Sequence, residues 1–161
     1  MKARELMSSP AITVGPETKI QDVARTMRDA HISGVPVIND DGVLLGVITE
    51  LHLIERSAPV KQPRYLAVLS GMIPVSLDEY REYREQVKLV LATNAEELMD
   101  DDPAAIGPET ELDAILAIMS EPEVTMLPVI EHEKVIGVVT RTDLVRVLER
   151  LEMALEDERE E

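Results

Sequence analysis

The sequence contains no cysteine, no tryptophan and no phenylalanine, and it has only three tyrosines in 161 residues. Without cysteine the chain cannot form a disulfide, a thiolate nucleophile or a cysteine-based metal site. With aromatic residues at 2%, the core must be built from aliphatic side chains and methionine. The aromatic platforms on which single-stranded nucleic acids stack are also missing.

Positive charge is scarce as well. The chain has 16 Lys and Arg residues against 32 Asp and Glu residues, which gives a net charge of −16 at pH 7. Such a field repels nucleic acids and anionic membranes, so neither is expected as a partner. The N-terminus lacks an apolar signal core, and the most apolar stretch, 66–75, is interrupted by Gly and Pro and is too short to span a bilayer. We expect a cytoplasmic protein.

Two segments of the chain repeat one another. The tetrapeptide Gly-Pro-Glu-Thr occupies 15–18 and again 107–110, a spacing of 92 residues, and Pro-Val-Ile at 36–38 recurs at 128–130. Gly46 recurs as Gly137, one residue closer. Because several anchors are in register, they indicate an internal duplication in which one residue is lost in a turn.

Each repeat has the same predicted order of elements. A short extended segment, 12–14 in the first copy, is followed by a helix that Thr18 is predicted to cap, with Thr110 as its counterpart. Two strands come next, joined by turns at 39–42 and 131–134, and a second helix completes the unit. The order is strand, helix, strand, strand, helix, which is an α+β fold.

The repeats divide the chain into four parts. Residues 1–56 form the first repeat, 57–94 an insert with a helix at about 77–91, and 95–150 the second repeat. Residues 151–161 hold the end of the last helix and an acidic tail that is expected to fray. Ser76, with Glu79 three residues later, is predicted to cap the insert helix.

The repeats resemble a tandem pair of CBS domains, the cystathionine β-synthase type of regulatory module, also called a Bateman module. The resemblance is carried by Ser-Gly-Val-Pro-Val at 33–37, Leu-Gly-Val-Ile-Thr at 45–49, Leu-Pro-Val-Ile at 127–130 and Ile-Gly-Val-Val-Thr-Arg-Thr-Asp-Leu at 136–144. It implies two pseudo-symmetric β-α-β-β-α CBS repeats packed through their sheets. Two equivalent clefts between them often bind adenine nucleotides or other adenosyl compounds in this family. Such modules usually form dimers, and a stand-alone module is expected here.

Thr140, Arg141 and Asp143 are the candidate ligand-binding residues of the second repeat. The Thr140 hydroxyl and the helix N-terminus can hold a phosphate, Asp143 can accept both hydroxyls of a ribose, and Arg141 supplies positive charge. On local sequence alone, a helix cap formed by Thr140 and Asp143 is the commoner interpretation, but the repeat context favours a site. By the family motif, the apolar side of this cleft is predicted to be formed by Ala105, Ile106, Met126, Leu127 and Pro128.

The first repeat departs from this pattern. His52 takes the place of the acid, and Glu50 stands where the second copy has Arg141. A neutral imidazole cannot accept both ribose hydroxyls, and Glu50 would repel a phosphate. This cleft is therefore predicted to be a degenerate second site, with Thr49, His52, Ile12, Val35 and Pro36 as its residues.

The favoured function is a regulatory module that senses AMP, ADP, ATP or S-adenosylmethionine as a regulatory ligand rather than a cofactor. It would act as a homodimer on an unidentified regulated protein. The alternative is a ligand-free scaffold for interaction and dimerisation. An enzyme is not expected, because no nucleophile–base arrangement or catalytic motif is present. A metal is not expected either, because the three histidines lack ligand spacing.

Overall fold

The computed structural model describes residues 1–160, without the side chains of 155 and 157–160. The side chain of Leu155 and the acidic tail side chains at 157–161 therefore lie outside the description. The helices are α1 Ala3–Leu6, α2 Ile20–Ala30, α3 Glu50–Ser57, α4 Leu77–Leu91, α5 Ala95–Leu98, α6 Leu112–Met119 and α7 Arg141–Glu160. The strands are β1 Gly34–Ile38, β2 Leu44–Thr49, β3 Tyr65–Val68, β4 Gly71–Pro74, β5 Met126–Glu131 and β6 Lys134–Thr140.

The first predicted strand of each repeat is reduced to a single bridging residue. In the first copy the Val14 N–H donates to the carbonyl of Pro36 at 3.0 Å, and the Ile38 N–H donates to Val14 at 2.9 Å. Ile106 makes the same parallel bridge to β5 in the second copy. The Gly-Pro turn that follows at once leaves no room for a longer strand.

The predicted helix caps at Thr18 and Thr110 are wrong. The Thr18 hydroxyl accepts a hydrogen bond from the Gly15 N–H at 3.1 Å, and Thr110 does the same with Gly107 at 3.2 Å. The helices begin later, at Ile20 and Leu112. The repeated Gly-Pro-Glu-Thr therefore forms a turn that is closed by the hydrogen bond between the threonine hydroxyl and the glycine N–H. This N–H lies within the turn, so the hydroxyl bonds to it and not to a backbone N–H of the helix.

The β-hairpins of the two repeats differ in their turns. The turn of the second repeat is one residue shorter, which accounts for the spacing of 91 rather than 92 residues between Gly46 and Gly137. Gly42 takes a φ of 83° at the end of the first turn, whereas His132 and Glu133 both take positive φ in the shorter second turn. Two consecutive positive φ values fit the right-handed twist of a two-residue hairpin loop. Both hairpins also shift register at equivalent places, after Val37 and after Val129.

Each of the two hydrophobic cores includes a short helix from the segment that precedes the other repeat. Ala3 and Leu6 of α1 lie in the core of the second repeat, and Ala95 and Leu98 of α5 lie in the core of the first. Backbone bonds fix the exchange, since the Ala3 N–H donates to the carbonyl of Thr110 at 2.8 Å. Each repeat thus needs the segment that precedes the other, so the two repeats fold as one unit.

The insert contributes helix α4 and the β3–β4 hairpin. The Ser76 hydroxyl accepts a hydrogen bond from the Glu79 N–H at 3.3 Å, which confirms the predicted cap of α4. Tyr80 and Tyr83 lie half-buried on one side of that helix. Within the described residues, no helix is long and apolar enough to cross a membrane.

Candidate functional site

Two cavities lie where β2 and β6 lead into helices α3 and α7. The Asp143 cavity has a volume of about 320 Å³ and the His52 cavity about 250 Å³. The first is lined by Ser8, Pro10, Ile12, Ala30, His31, Ile32, Ser33, Gly34, Val138, Thr140, Thr142, Asp143 and Arg146. The second is lined by Val47, Thr49, Leu51, His52, Glu55, Asp100, Pro103, Ala104, Glu123, Val124, Thr125 and Met126.

Asp143 is a buried carboxylate, 7% exposed, at the start of α7. Its Oδ2 accepts hydrogen bonds from the Thr140 N–H at 2.8 Å and from the Thr140 hydroxyl at 2.7 Å. The other oxygen, Oδ1, has only longer contacts, to the Ser8 hydroxyl at 3.4 Å and to the Arg146 guanidinium at 3.8 Å. One oxygen therefore caps the helix while the other keeps capacity to accept further hydrogen bonds.

Arg146, not Arg141, supplies the positive charge of this cavity. The Arg141 guanidinium donates to the carbonyls of Glu121 and Pro122, at 3.1 and 3.0 Å, on the loop before β5. Residues two apart on a helix do not face one another, whereas residues three apart do, so Arg146 shares the face of Asp143 and Arg141 does not. This spacing was visible in the sequence and could have identified Arg146.

The five residues predicted for the apolar side of the Asp143 cavity do not line it. Met126 lines the His52 cavity instead, Ile106, Leu127 and Pro128 are buried, and Ala105 is exposed. In the predicted second site, Thr49 and His52 do lie together, but Ile12 lines the Asp143 cavity, and Val35 and Pro36 are fully buried.

The predicted walls were assigned to the wrong cavities because each cavity is lined by residues of both repeats. The end of β6 and the start of α7 lie against the start of β1, so the apolar wall near Asp143 comes from Pro10, Ile12 and Ile32 of the first repeat. Polar neighbours Ser8, His31 and Ser33 also come from that repeat and were missed. A motif reading confined to one repeat contains no signal for this exchange.

His52 occupies the place of Asp143 and takes over its capping role. Its Nδ1 accepts a hydrogen bond from the Thr49 N–H at 2.9 Å and lies 3.3 Å from the Thr49 hydroxyl. A ring nitrogen that accepts must be unprotonated, so this bond needs the neutral imidazole. Burial lowers the pKa of His52, although the carboxylates of Glu55 and Asp100 act in the opposite direction.

The two cavities differ in charge. The Asp143 cavity contains one carboxylate and the Arg146 guanidinium, whereas the His52 cavity contains Glu55, Asp100 and Glu123 and no lysine or arginine among its lining residues. Glu55 occupies the position in α3 that corresponds to Arg146 in α7. The lining residues therefore oppose an anion in the His52 cavity, whereas in the Asp143 cavity the Arg146 guanidinium balances the single carboxylate.

A close contact separates the two cavities. Gly34 lines the Asp143 cavity and Met126 lines the His52 cavity. A methyl group built on Gly34 would lie 2.6 Å from the Met126 sulfur and 3.0 Å from the Ile48 carbonyl oxygen. A larger residue at position 34 would have to displace the Met126 side chain, which lies against β1 between residues of the two cavities.

Comparison with known proteins identifies the repeats. A family model described as CBS domain matches residues 3–59 and 95–150. The chain is 29% identical over 154 residues to the uncharacterized protein MJ1426 of Methanocaldococcus jannaschii, which covers 92% of this chain and 91% of that protein.

Solved structures give the same fold. A crystal structure of CBSX2 in complex with AMP superposes with a TM-score of 0.75 at 21% identity, covering 92% of this chain and 97% of that one. The CBS domain pair of protein MJ0100, in complex with 5′-methylthioadenosine and S-adenosyl-L-methionine, superposes with a TM-score of 0.66 at 19% identity, covering 92% and 95%. These matches confirm the resemblance drawn from the motifs. The chain belongs to the CBS domain family and carries two of its repeats in tandem.

Proposed function

We propose that the protein is a ligand-sensing regulatory module that binds an adenosine-type ligand in the Asp143 cavity and signals its occupancy to a partner protein. The observation that carries this proposal is a buried carboxylate, Asp143, beside the Arg146 guanidinium in a cavity with apolar walls. The related pairs that were crystallised in complex with AMP, or with 5′-methylthioadenosine and S-adenosyl-L-methionine, support it.

Each part of such a ligand has a matching group. The ribose hydroxyls would donate to Asp143, whose Oδ1 has only the long contacts to Ser8 and Arg146. A phosphate would lie against the Arg146 guanidinium and the N-terminus of α7. The base would pack against Ile12, Ile32 and Val138, because a chain without Phe or Trp offers aliphatic rather than aromatic walls. The cavity volume of about 320 Å³ falls at the lower end of ligand sites.

Signalling would follow because the Asp143 cavity is lined by residues of both repeats. Its walls come from both repeats, so a ligand that fits one arrangement of the repeats better than another shifts their populations. A partner protein that contacts either repeat can read that shift. The regulated protein and a homodimer are parts of the same proposal.

A thermal-shift panel tests the proposal. A ligand at about 100 times its Kd stabilises the folded state by about 2.7 kcal/mol, which raises Tm by roughly 5–10 °C in a chain of this size. The panel should contain adenosine, AMP, ADP, ATP, S-adenosylmethionine, 5′-methylthioadenosine and NADH. If no member raises Tm, the ligand-sensing function is wrong.

Matched variants locate the phosphate. Arg146→Ala should reduce the shift caused by AMP and leave the shift caused by 5′-methylthioadenosine unchanged, because only AMP carries a phosphate. Arg84→Ala removes the same charge from the exposed side of α4 and should change neither. Equal loss for both ligands in Arg146→Ala would contradict the assignment of Arg146 to the phosphate.

A ligand-free interaction scaffold is the second candidate. The three carboxylates of the His52 cavity favour it, because one of the two equivalent clefts lacks the groups proposed to hold a nucleotide. Co-purification of a partner from cell extract, with and without the ligand found in the thermal-shift panel, separates the two functions. A sensor captures its partner in a ligand-dependent way, whereas a scaffold captures it equally in both conditions.

A further inference from the structure

The β3–β4 hairpin of the insert is an exposed apolar feature that the ligand-sensing function does not use. Leu66 is 57% exposed, Met72 66% and Ile73 49%, and Leu69 at the tip is fully exposed. Every residue of β3 is exposed, and in β4 only Pro74 is partly covered. Exposed apolar side chains in one contiguous patch mark interaction surfaces.

Both faces of this hairpin are apolar. In its register Leu66 lies opposite Ile73 on one face, and Ala67 lies opposite Met72 on the other. The sheet has two strands, and within residues 1–160 no further strand or bridge pairs with it. A two-stranded ribbon is marginal in water unless a third strand or another packed surface covers it. Its two outer edges also present unpaired backbone groups.

The hairpin lies in an uncharged stretch of a strongly acidic chain. From 65 to 77 the sequence contains no Asp, Glu, Lys, Arg or His, and no other uncharged stretch is as long. Charged residues make up 30% of the whole chain and give it a net charge of −16. Two copies therefore repel one another over most of their surface, and this stretch is where that repulsion is weakest.

We infer that the β3–β4 hairpin is a self-association surface, which packs against the hairpin of a second copy across a two-fold axis. A two-fold contact uses the same patch on both copies, so the apolar residues of one hairpin would meet the apolar residues of the other. A partner attracted by charge would instead dock on the acidic surface. The inference does not depend on ligand binding, so the thermal-shift panel can fail while this contact holds, and the reverse.

Sedimentation of the full chain tests the contact. The wild-type chain should sediment as an assembly at micromolar concentration. Leu66→Glu combined with Ile73→Glu should halve the mass and weaken association by about tenfold or more, because two carboxylates enter an apolar contact. The matched control is Ile54→Glu combined with Val145→Glu, two equally exposed residues on α3 and α7. A monomeric wild-type chain, an assembly that persists in the hairpin variant, or one that is lost equally in the control variant overturns the inference.

Cross-linking decides the matter even if the charged variant misfolds. The chain has no cysteine, so Ser70→Cys at the hairpin tip provides a single thiol. Under mild oxidation it should form a covalent dimer, whereas Asp41→Cys in the turn of the β1–β2 hairpin should stay largely monomeric. Equal cross-linking of the two variants, or none at Ser70→Cys, contradicts the inference. Flotation of wild-type chain with neutral phosphatidylcholine vesicles, abolished by the charged hairpin variant, would instead assign the surface to a membrane.

Discussion

The Asp143 and His52 cavities are built on the same backbone frame and differ in charge, since one carboxylate is balanced by Arg146 in the first and three carboxylates line the second. In each, a threonine at the end of a strand begins a helix, and the residue three positions later returns a hydrogen bond to the threonine N–H. Around this shared frame, Arg146 is replaced by Glu55 and Ser8 by Asp100. The two cavities therefore share the backbone arrangement and the helix cap but differ in the charged residues that line them.

The comparison separates helix capping from ligand binding. Asp143 and His52 cap their helices equally well, at 2.8 and 2.9 Å from the threonine nitrogens. Only the carboxylate keeps a second oxygen for further hydrogen bonds. The cap alone therefore says nothing about ligand binding. We expect the charge of the surrounding residues, Arg146 in one cavity and Glu55, Asp100 and Glu123 in the other, to decide which cavity holds a nucleotide.

The largest expected effect is the loss of binding in Asp143→Asn. The amide keeps an acceptor for the helix cap but replaces the second acceptor with a donor, so it cannot receive both ribose hydroxyls. Hydrogen bonds to a charged group contribute about 1.5–3 kcal/mol each, and the Kd of the adenosyl ligand should rise about 100-fold by calorimetry. His52→Gln is the control and should leave that Kd unchanged. A matched loss in both variants would erase the distinction between the cavities.

Glycine substitutions test what the two cavities share. A methyl group on Gly137 would lie 2.7 Å from the Met7 sulfur and 2.9 Å from the Ser8 carbonyl oxygen, and Gly46 meets Met99 and Asp100 in the same way. Gly137→Ala and Gly46→Ala should each cost about 1–3 kcal/mol of unfolding free energy in urea, because backbone oxygen cannot move aside.

Gly15→Ala is the control for these two variants. Its methyl group would lie 3.8 Å from the Thr18 hydroxyl oxygen, an ordinary contact, so little stability should be lost. Unfolding curves in which all three variants match the wild-type chain would show that the segments at 7–8 and 99–100 do not pack tightly on strands β6 and β2.

Restoring the charge pattern should repair the degenerate cavity in part. In a chain carrying His52→Asp and Glu55→Arg, the His52 cavity gains a carboxylate and a guanidinium in the positions of Asp143 and Arg146. We expect a second binding event for a phosphate-bearing ligand, about tenfold weaker than the first, because Asp100 and Glu123 still oppose the phosphate. Calorimetry that finds no second event would show that charge is not what distinguishes the cavities.

The smallest effect is the pH dependence of His52. Burial lowers its folded-state pKa below the ordinary value of 6.5. The unfolded chain therefore binds more protons just below that pH, and stability falls as the solution is acidified. The contribution of neutral His52 to the free energy of unfolding is complete above pH 6.5. It is lost as the pH falls toward the lower folded-state pKa, at less than about 1.4 kcal/mol per pH unit. The urea midpoints at pH 7.5 and 5.5 should differ less in His52→Gln, which caps without titrating, than in the wild-type chain; an identical pH response would contradict the role of His52.

Sequence reasoning reached the fold because the evidence for it is local and repeated. The Gly-Pro-Glu-Thr turns, the hairpin turns and the strand motifs each occur twice in register, so one copy checks the other. Thr18 and Thr110 were misread as helix caps because a hydroxyl before a helix has two backbone donors within reach. The sequence does not say which donor is closer.

The candidate site was only partly predictable. Asp143 and Thr140 are adjacent in sequence and meet in space, as local chemistry requires. The walls of the cavity are not local, because Ile12 and His31 reach Asp143 only after α1 and α5 exchange between the repeats. That exchange depends on packing between distant segments, for which the repeat pattern contains no signal.

Ligand stoichiometry tests the central claim most directly. The adenosyl compound that gives the largest thermal shift should be titrated into the wild-type chain and into Asp143→Asn by calorimetry. The asymmetry of the cavities predicts one ligand per wild-type chain and none at comparable concentration in the variant. Two ligands per chain, or one ligand retained by Asp143→Asn, would contradict it.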